Sequence, residues 1–235
     1  MAQLLNAPFG KPRGKVGDFI YRTMNGKTFI SAKPHRIRKA NDPASLARQK
    51  RFGLNCKLSK CINQIDEYKH FWLKAAKGKM STYNAIQKAN YPHINHNCID
   101  RNIRLTPDSI GMDFSEYGFA FDCGFITLEF KNDTLGVVKD FKIDNNVMFA
   151  GVICLSNPYE VRHDEMLFIN VKSDSEKVIE NDFSILSIEL NPLQMQTIES
   201  YSNAVFFFGF ISKDKDGNII NEVTTFAEDL HSDDE

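Results

Sequence analysis

Residues 18–32, D-F-I-Y-R-T-M-N-G-K-T-F-I-S-A, place a run of β-formers on either side of Asn25-Gly26. Asn-Gly is the pair best suited to positive φ at both centres of a type I′ turn, so the stretch reads as a tight β-hairpin. Phe19, Tyr21 and Thr23 fall on one face of its first strand, and Ile20 and Arg22 on the other. On the second strand Thr28 and Ile30 alternate with Phe29 and Ser31. Apolar side chains on both faces imply cover on both. A two-stranded ribbon is marginal in water, so this one must pack on something larger or on another subunit.

Upstream, residues 1–17 hold Pro8, Gly10, Pro12, Gly14 and Gly17 among Lys11, Arg13 and Lys15. That composition resists helix and strand alike, and it reads as a basic arm that orders on meeting a partner. Downstream, residues 34–40 form an extended basic connector. Asp42 then offers an N-cap and Pro43 suits the first helical position, which predicts a helix over 45–64. Its apolar positions Leu46, Phe52, Leu54, Cys56, Leu58, Cys61, Ile62 and Ile65 make a broad stripe. A second helix is predicted over 67–77, and a third, capped by Ser81, over 82–89. From Cys98 the period shifts towards 2. Strand-sized runs at 101–106, 118–123, 125–130, 147–155, 165–172, 182–189, 204–212 and 218–226 have the spacing of an antiparallel sandwich or barrel. The expectation is an α+β chain with a basic arm at 1–17, a hairpin and helical basic module at 18–97, an acidic antiparallel β-domain at 98–227 and a disordered acidic tail at 228–235.

The formal net charge of −1 conceals a division. Residues 1–97 hold 19 Lys and Arg against 4 Asp and Glu, which is +15, and residues 98–235 hold 10 against 26, which is −16. A basic half attracts phosphate backbones, or it attracts the acidic half of the same chain or of a neighbouring copy. The second is favoured, since a nucleic-acid binder gains nothing from a strongly acidic partner domain. Five cysteines at irregular spacing, with no apolar secretory leader, indicate reduced thiols packed as small hydrophobes. No apolar run approaches the roughly 18 residues of a membrane span. A soluble cytoplasmic protein is expected, or a virion protein if the gene is phage-borne.

Several motifs invite chemistry and are better explained otherwise. Gly10-x-x-x-Gly14-Lys15 is one residue short of a phosphate-binding loop, has Val16 in place of Ser or Thr, and precedes a strand. His93, His96 and Cys98 lack a fourth zinc ligand and read as a polar loop. Asp214-x-Asp216-Gly217-Asn218 begins like a calcium loop but runs directly into Ile219 and Ile220, as a hairpin turn would. Asp164-Glu165 and Glu228-Asp229 are adjacent carboxylates without convergent geometry, and nothing nominates a nucleophile beside His163. No cofactor is expected.

The segments G-K-V-G-D-F-I-Y-R-T-M-N-G-K-T-F-I-S-A-K-P and N-D-P-A-S-L-A-R-Q-K-R-F, with the later Tyr83-Asn84-Ala85-Ile86, resemble an uncharacterised family of Bacteroidota and their phages. Its members share G-K-x-G, a short hairpin containing G-K, a basic K-P and S-x-x-x-x-x-R-x-x-F on the next helix. The likeness covers roughly residues 10–120 and departs from the family at Ser45-Leu46-Ala47, where Gln-Leu-Ala is more usual. It implies a bacterial or phage setting and no activity.

The expected binding set is Lys11, Arg13, Lys15, Arg22, Lys33, Arg36, Arg38, Lys39, Arg48, Lys50 and Arg51, interleaved with Phe19, Tyr21 and Phe29. These residues would meet a partner subunit, in a non-enzymatic structural or assembly protein that self-associates through its arm and hairpin. The alternative is a sequence-nonspecific nucleic-acid-binding protein using the same residues. A carbohydrate-binding sandwich would need an aromatic platform, and Trp72, the single tryptophan, falls on a predicted helix.

Overall fold

A two-residue turn at Asn25-Gly26 requires Met24 opposite Lys27, and that register is found, with Gly26 at φ 76°. The computed structural model describes residues 2–4, 13–24, 26–33, 41–76, 78, 80–107, 117–131, 146–173, 178–180, 183–213, 216, 218–221 and 225–231. Strands β1 (Ala2–Leu4), β2 (Gly14–Val16), β3 (Phe19–Met24) and β4 (Lys27–Ala32) form an antiparallel sheet in the order β1-β4-β3-β2. Two pieces of the expected arm are therefore strands. The glycines that argue against helix supply the reversal: Gly17, at φ 57°, leads a second two-residue turn that sets Val16 opposite Phe19. The chain forms two compact units, Met1–Ser45 and Leu46–Glu235, and this sheet belongs to the first.

Helix α1 (Pro43–Asn63) starts as expected, with the Asp42 carboxylate accepting the Ser45 N–H at 2.8 Å. Helices α2 (Asp66–Ala76) and α3 (Thr82–Asn90) follow, the latter capped by Ser81, and Tyr91–His93 adds a short 3-10 turn. Only the later half of the α1 stripe is core. Leu54, Leu58, Cys61 and Ile62 are buried, whereas Leu46 and Phe52 are 50% and 56% exposed. Towards α3 the contact is polar: Asn55 donates to the Gln87 carbonyl at 3.1 Å, and Thr82 to Asn63 at 2.8 Å.

The remaining elements are β5 (Tyr117–Asp122), β6 (Phe125–Lys131), β7 (Asn146–Pro158), β8 (Met166–Lys172), β9 (Val178–Glu180), β10 (Phe183–Glu189), α4 (Pro192–Glu199), β11 (Tyr201–Lys213), β12 (Ile219–Asn221) and β13 (Phe226–Asp229). They build an outer sheet, β5-β6-β10-β9, and a central sheet, β12-β11-β7-β8, with β13 also paired to β11. Along β7 and β11 successive side chains go to opposite sides. Phe149, Ile153, Leu155, Phe206, Phe208 and Phe210 join Ile126, Leu128, Leu186 and Ile188 of the outer sheet in one core. Met148, Ala150, Val152, Cys154, Phe207 and Ile211 meet Leu58, Ile62, Tyr68, Phe71 and Trp72 of the helices in another. The result is a sandwich and not a closed barrel, with helices as a third layer.

Burial on both faces accounts for the nearly unbroken apolar run 204–211, as it does for strands covered on both sides elsewhere. It also moves the unit boundary to Ser45 from the expected 97, because the helices supply one wall of a core that the sheet supplies from the other side.

Three further expectations are corrected. Residues 101–106 are not a strand, because side chains take up their backbone groups. Asn90 brackets Arg104 with bonds of 2.9 and 2.7 Å, Trp72 donates to the Leu105 carbonyl at 2.7 Å, and Leu105 N–H donates to Thr225 at 2.9 Å. The run 218–226 splits into β12 and the start of β13. The expected disordered tail is partly built into the fold: β13 pairs with Val205–Phe208, Tyr117 donates to Glu228, Arg101 pairs with Asp229, and Leu230 is buried. Residues 232–235 lie outside the described residues. Helix α4 was not expected, although Asn191-Pro192-Leu193-Gln194 spells a capping box that the structure forms.

Two named contacts fasten the helices to the central sheet, and a close approach within that sheet is a third constraint. The Tyr68 hydroxyl reaches the Ala150 carbonyl, and lies 3.3 Å from that of Gly209, between the paired strands β7 and β11. Glu67 on α2 accepts from Lys172 of β8 at 2.7 Å and from Lys213 of β11 at 3.0 Å. Gly151 allows β11 to approach, since a Cβ there would overlap the Phe207 carbonyl oxygen.

Candidate interaction surface

Residues directly opposite in an antiparallel pair share a face. In the N-terminal sheet, Val16, Phe19, Tyr21, Thr23, Thr28 and Ile30 therefore make one face, which is uncharged and largely apolar. Lys15, Ile20, Arg22, Lys27, Phe29 and Ser31 make the other. Among the described residues of this unit Thr28 alone is buried, while Val16 and Phe19 are 60% and 52% exposed. Lys15 sits within β2 and not in a loop before a helix, which disposes of its likeness to a phosphate-binding loop.

The expected binding residues divide into two groups. Arg13, Lys15, Arg22 and Lys33 lie in the N-terminal unit and are exposed; among the described residues they make no ion pair, and neither does Lys27, which sequence reasoning passed over. Arg48 and Arg51 lie on α1. Arg51 is built into the fold: it donates to the Tyr91 carbonyl at 2.7 Å and lies 4.2 Å over the Tyr91 ring. On the same helix Lys50 pairs with Glu165, and Lys57 with Asp164 at 2.6 Å. Lys11, Arg36, Arg38 and Lys39 lie outside the described residues. Opposite charges thus meet within the chain on α1, and the adjacent carboxylates 164–165 serve as counterions. Counted by unit, residues 1–45 hold nine Lys and Arg against two Asp and Glu, +7, and residues 46–235 hold 20 against 28, −8.

A depression of about 610 Å³ on the second unit is lined by Glu160, Arg162, His163, Asp164, Gln196, Thr197, Ser200 and Tyr201. His163 stacks on Tyr201, whose hydroxyl donates to the Asp164 carbonyl at 3.0 Å. The Thr197 and Ser200 hydroxyls donate back to the carbonyls of Leu193 and Gln196 at 2.6 and 2.7 Å, so neither is presented to His163 as a nucleophile. His93, His96 and Cys98 lie around the Ile94–Ile99 bridge, where the Asn95 side chain meets the Cys98 sulfur at 3.6 Å. Among the described residues no group of three His, Cys, Asp or Glu could hold a metal. The strands flanking 214–218 pair as the hairpin reading requires.

All five cysteines are free thiols. Burial pushes Cys61 and Cys154 up to about 12, which makes them inert, while Cys98 and Cys123 are exposed and Cys123 is raised by its hydrogen bond to Asp122. Among the described residues no helix is long and apolar enough to cross a membrane. The chain matches no protein-family model and no curated protein sequence.

Proposed function

We propose that this chain is a non-enzymatic assembly protein that binds further copies of itself through its N-terminal sheet. The resemblance noted above supports a bacterial or phage setting, with a place in the virion as one form of it. One observation carries the reading: a four-stranded sheet with exposed Val16 and Phe19 on one face and, on the other, cations that make no ion pair among the described residues. Such a sheet lacks the buried face that stabilises small β units. The complement is present in the same molecule, since +7 in the first unit answers −8 in the second.

The test is absolute mass by light scattering on nuclease-treated protein across a salt series, with the full chain beside one lacking residues 1–33. The expected result is an oligomer that loosens with salt and is absent from the shortened chain. A full chain that is monomeric at every salt would overturn the proposal.

Nucleic-acid binding is favoured by one feature, the register that puts Arg22 beside Phe29, a cation next to a stacking ring. Its signature would be affinity falling on the order of 10³-fold or more between 50 and 200 mM salt for six or more phosphate contacts.

A further inference from the structure

Resting on that reading, we propose that the N-terminal sheet of one copy is received by the outer face of the β5-β6-β10 layer of a neighbouring copy. Ile126 and Leu128 of β6 point into the sandwich core, so Phe125, Thr127 and Glu129 stand on the opposite face. Register completes the rows. Asp122 and Glu189 flank Phe125, Ala120 and Ser187 flank Thr127, and Gly118 and Ile185 flank Glu129. Among its described side chains the face carries three carboxylates, Asp122, Glu129 and Glu189, and no cation, a net −3.

No ion pair among the described residues neutralises Asp122, Glu129 or Glu189. The Asp122 carboxylate accepts from the Cys123 thiol. Lys172, on the rim of the depression that Phe125, Ser187 and Glu189 help to line, is held by Glu67.

The face is also shaped to take a sheet. Gly118, Ala120, Thr127 and Ser187 are small, and Glu129 lies flat beside Gly118, its Cβ and Oε2 standing 3.5 and 3.7 Å from the position of a Cβ there. Phe125 is 43% exposed, so an aromatic ring stands among the carboxylates. The charged face of the N-terminal sheet is the counterpart, with Lys15, Arg22 and Lys27 giving +3 around Ile20 and Phe29. Two twisted sheets stack well face to face. Like faces repel, so the basic sheet does not dock on its own kind. Four strands about 4.8 Å apart and six residues at about 3.3 Å each give a footprint of roughly 20 by 20 Å. Both partners together would bury at most about 800 Å², below the roughly 1,200 Å² at which standard stable interfaces begin, so the contact depends on its charges.

The experiment compares two full-length double variants with the wild type, nuclease-treated, by light scattering at low salt. Glu129→Lys with Glu189→Lys reverses the receiving face, and Lys15→Glu with Arg22→Glu reverses the docking face. Each is expected to weaken association about 100-fold or more and to run as a monomer. Their mixture is expected to form a one-to-one complex, because each retains the face the other has lost. That recovery also shows both variants to be folded. Two monomeric variants that do not combine would overturn the inference. So would a carboxylate variant with the wild-type mass beside a monomeric chain lacking residues 1–33, an outcome that leaves self-association standing. A wild-type monomer at every salt would overturn both.

Discussion

The second unit buries its central sheet on both faces, with Phe206, Phe208 and Phe210 on one side and Phe207 and Ile211 on the other. The N-terminal sheet of the same chain buries only Thr28 among its described residues. Charge follows the same contrast. On α1, Arg51, Lys57 and Lys50 have found partners in Tyr91, Asp164 and Glu165, whereas Lys15 and Arg22 make no ion pair among the described residues. A β element that has its layers is finished, and one that lacks them is an invitation to another surface. The two units therefore differ in what holds them, and substitutions can test that difference.

Gly151→Ala is expected to have the largest effect. The new methyl meets the backbone of β11, which cannot yield without breaking the longest ladder, so a loss of about 3 kcal/mol is expected in chemical denaturation. Glu67→Gln comes next. It leaves Lys172 and Lys213 without their shared carboxylate on a residue only 6% exposed, at about 1–3 kcal/mol.

The pH dependence has a defined sign. Burial raises the pKa of Glu67, but the hydrogen bonds from Lys172 and Lys213 outweigh it and hold the carboxyl below its usual range. Its contribution is then present at neutral pH and lost as pH falls through that lowered value. A wild-type acid-unfolding profile that Glu67→Gln leaves unshifted would show that the clamp is not what fastens helix to sheet.

Lys57→Ala should cost at most about 1 kcal/mol, less at high salt, because its side chain and that of Asp164 are 48% and 60% exposed. Removing residues 1–33 should change the denaturant midpoint of the second unit least of all. A clear drop would mean that the two units unfold together, and the contrast between them would fail.

Legibility followed the range of the interactions. The caps at Asp42 and Ser81, the Asn25-Gly26 turn and most of the sandwich strands were readable because each rests on neighbours a few residues apart. The Asn191–Gln194 box is equally local, and it lies between two strand-sized runs. Residues 101–106 misled for the opposite reason. Their apolar alternation is real, with Ile103 and Leu105 buried, but their backbone is held by Asn90, Trp72 and Thr225 instead of by a neighbouring strand.

The candidate surface divides the same way. That the first half of the chain is basic and the second acidic is a matter of counting. Which cations are already answered is not, because Lys57 and Asp164 are 107 positions apart and meet only when α1 and the loop after β7 are set side by side. Local rules of turn, cap and period are written in the order of residues, and so were the helices, the hairpin and the sandwich. Which faces are covered, which charges are paired and where one unit ends depend on distant segments coming together, and those were decided by packing.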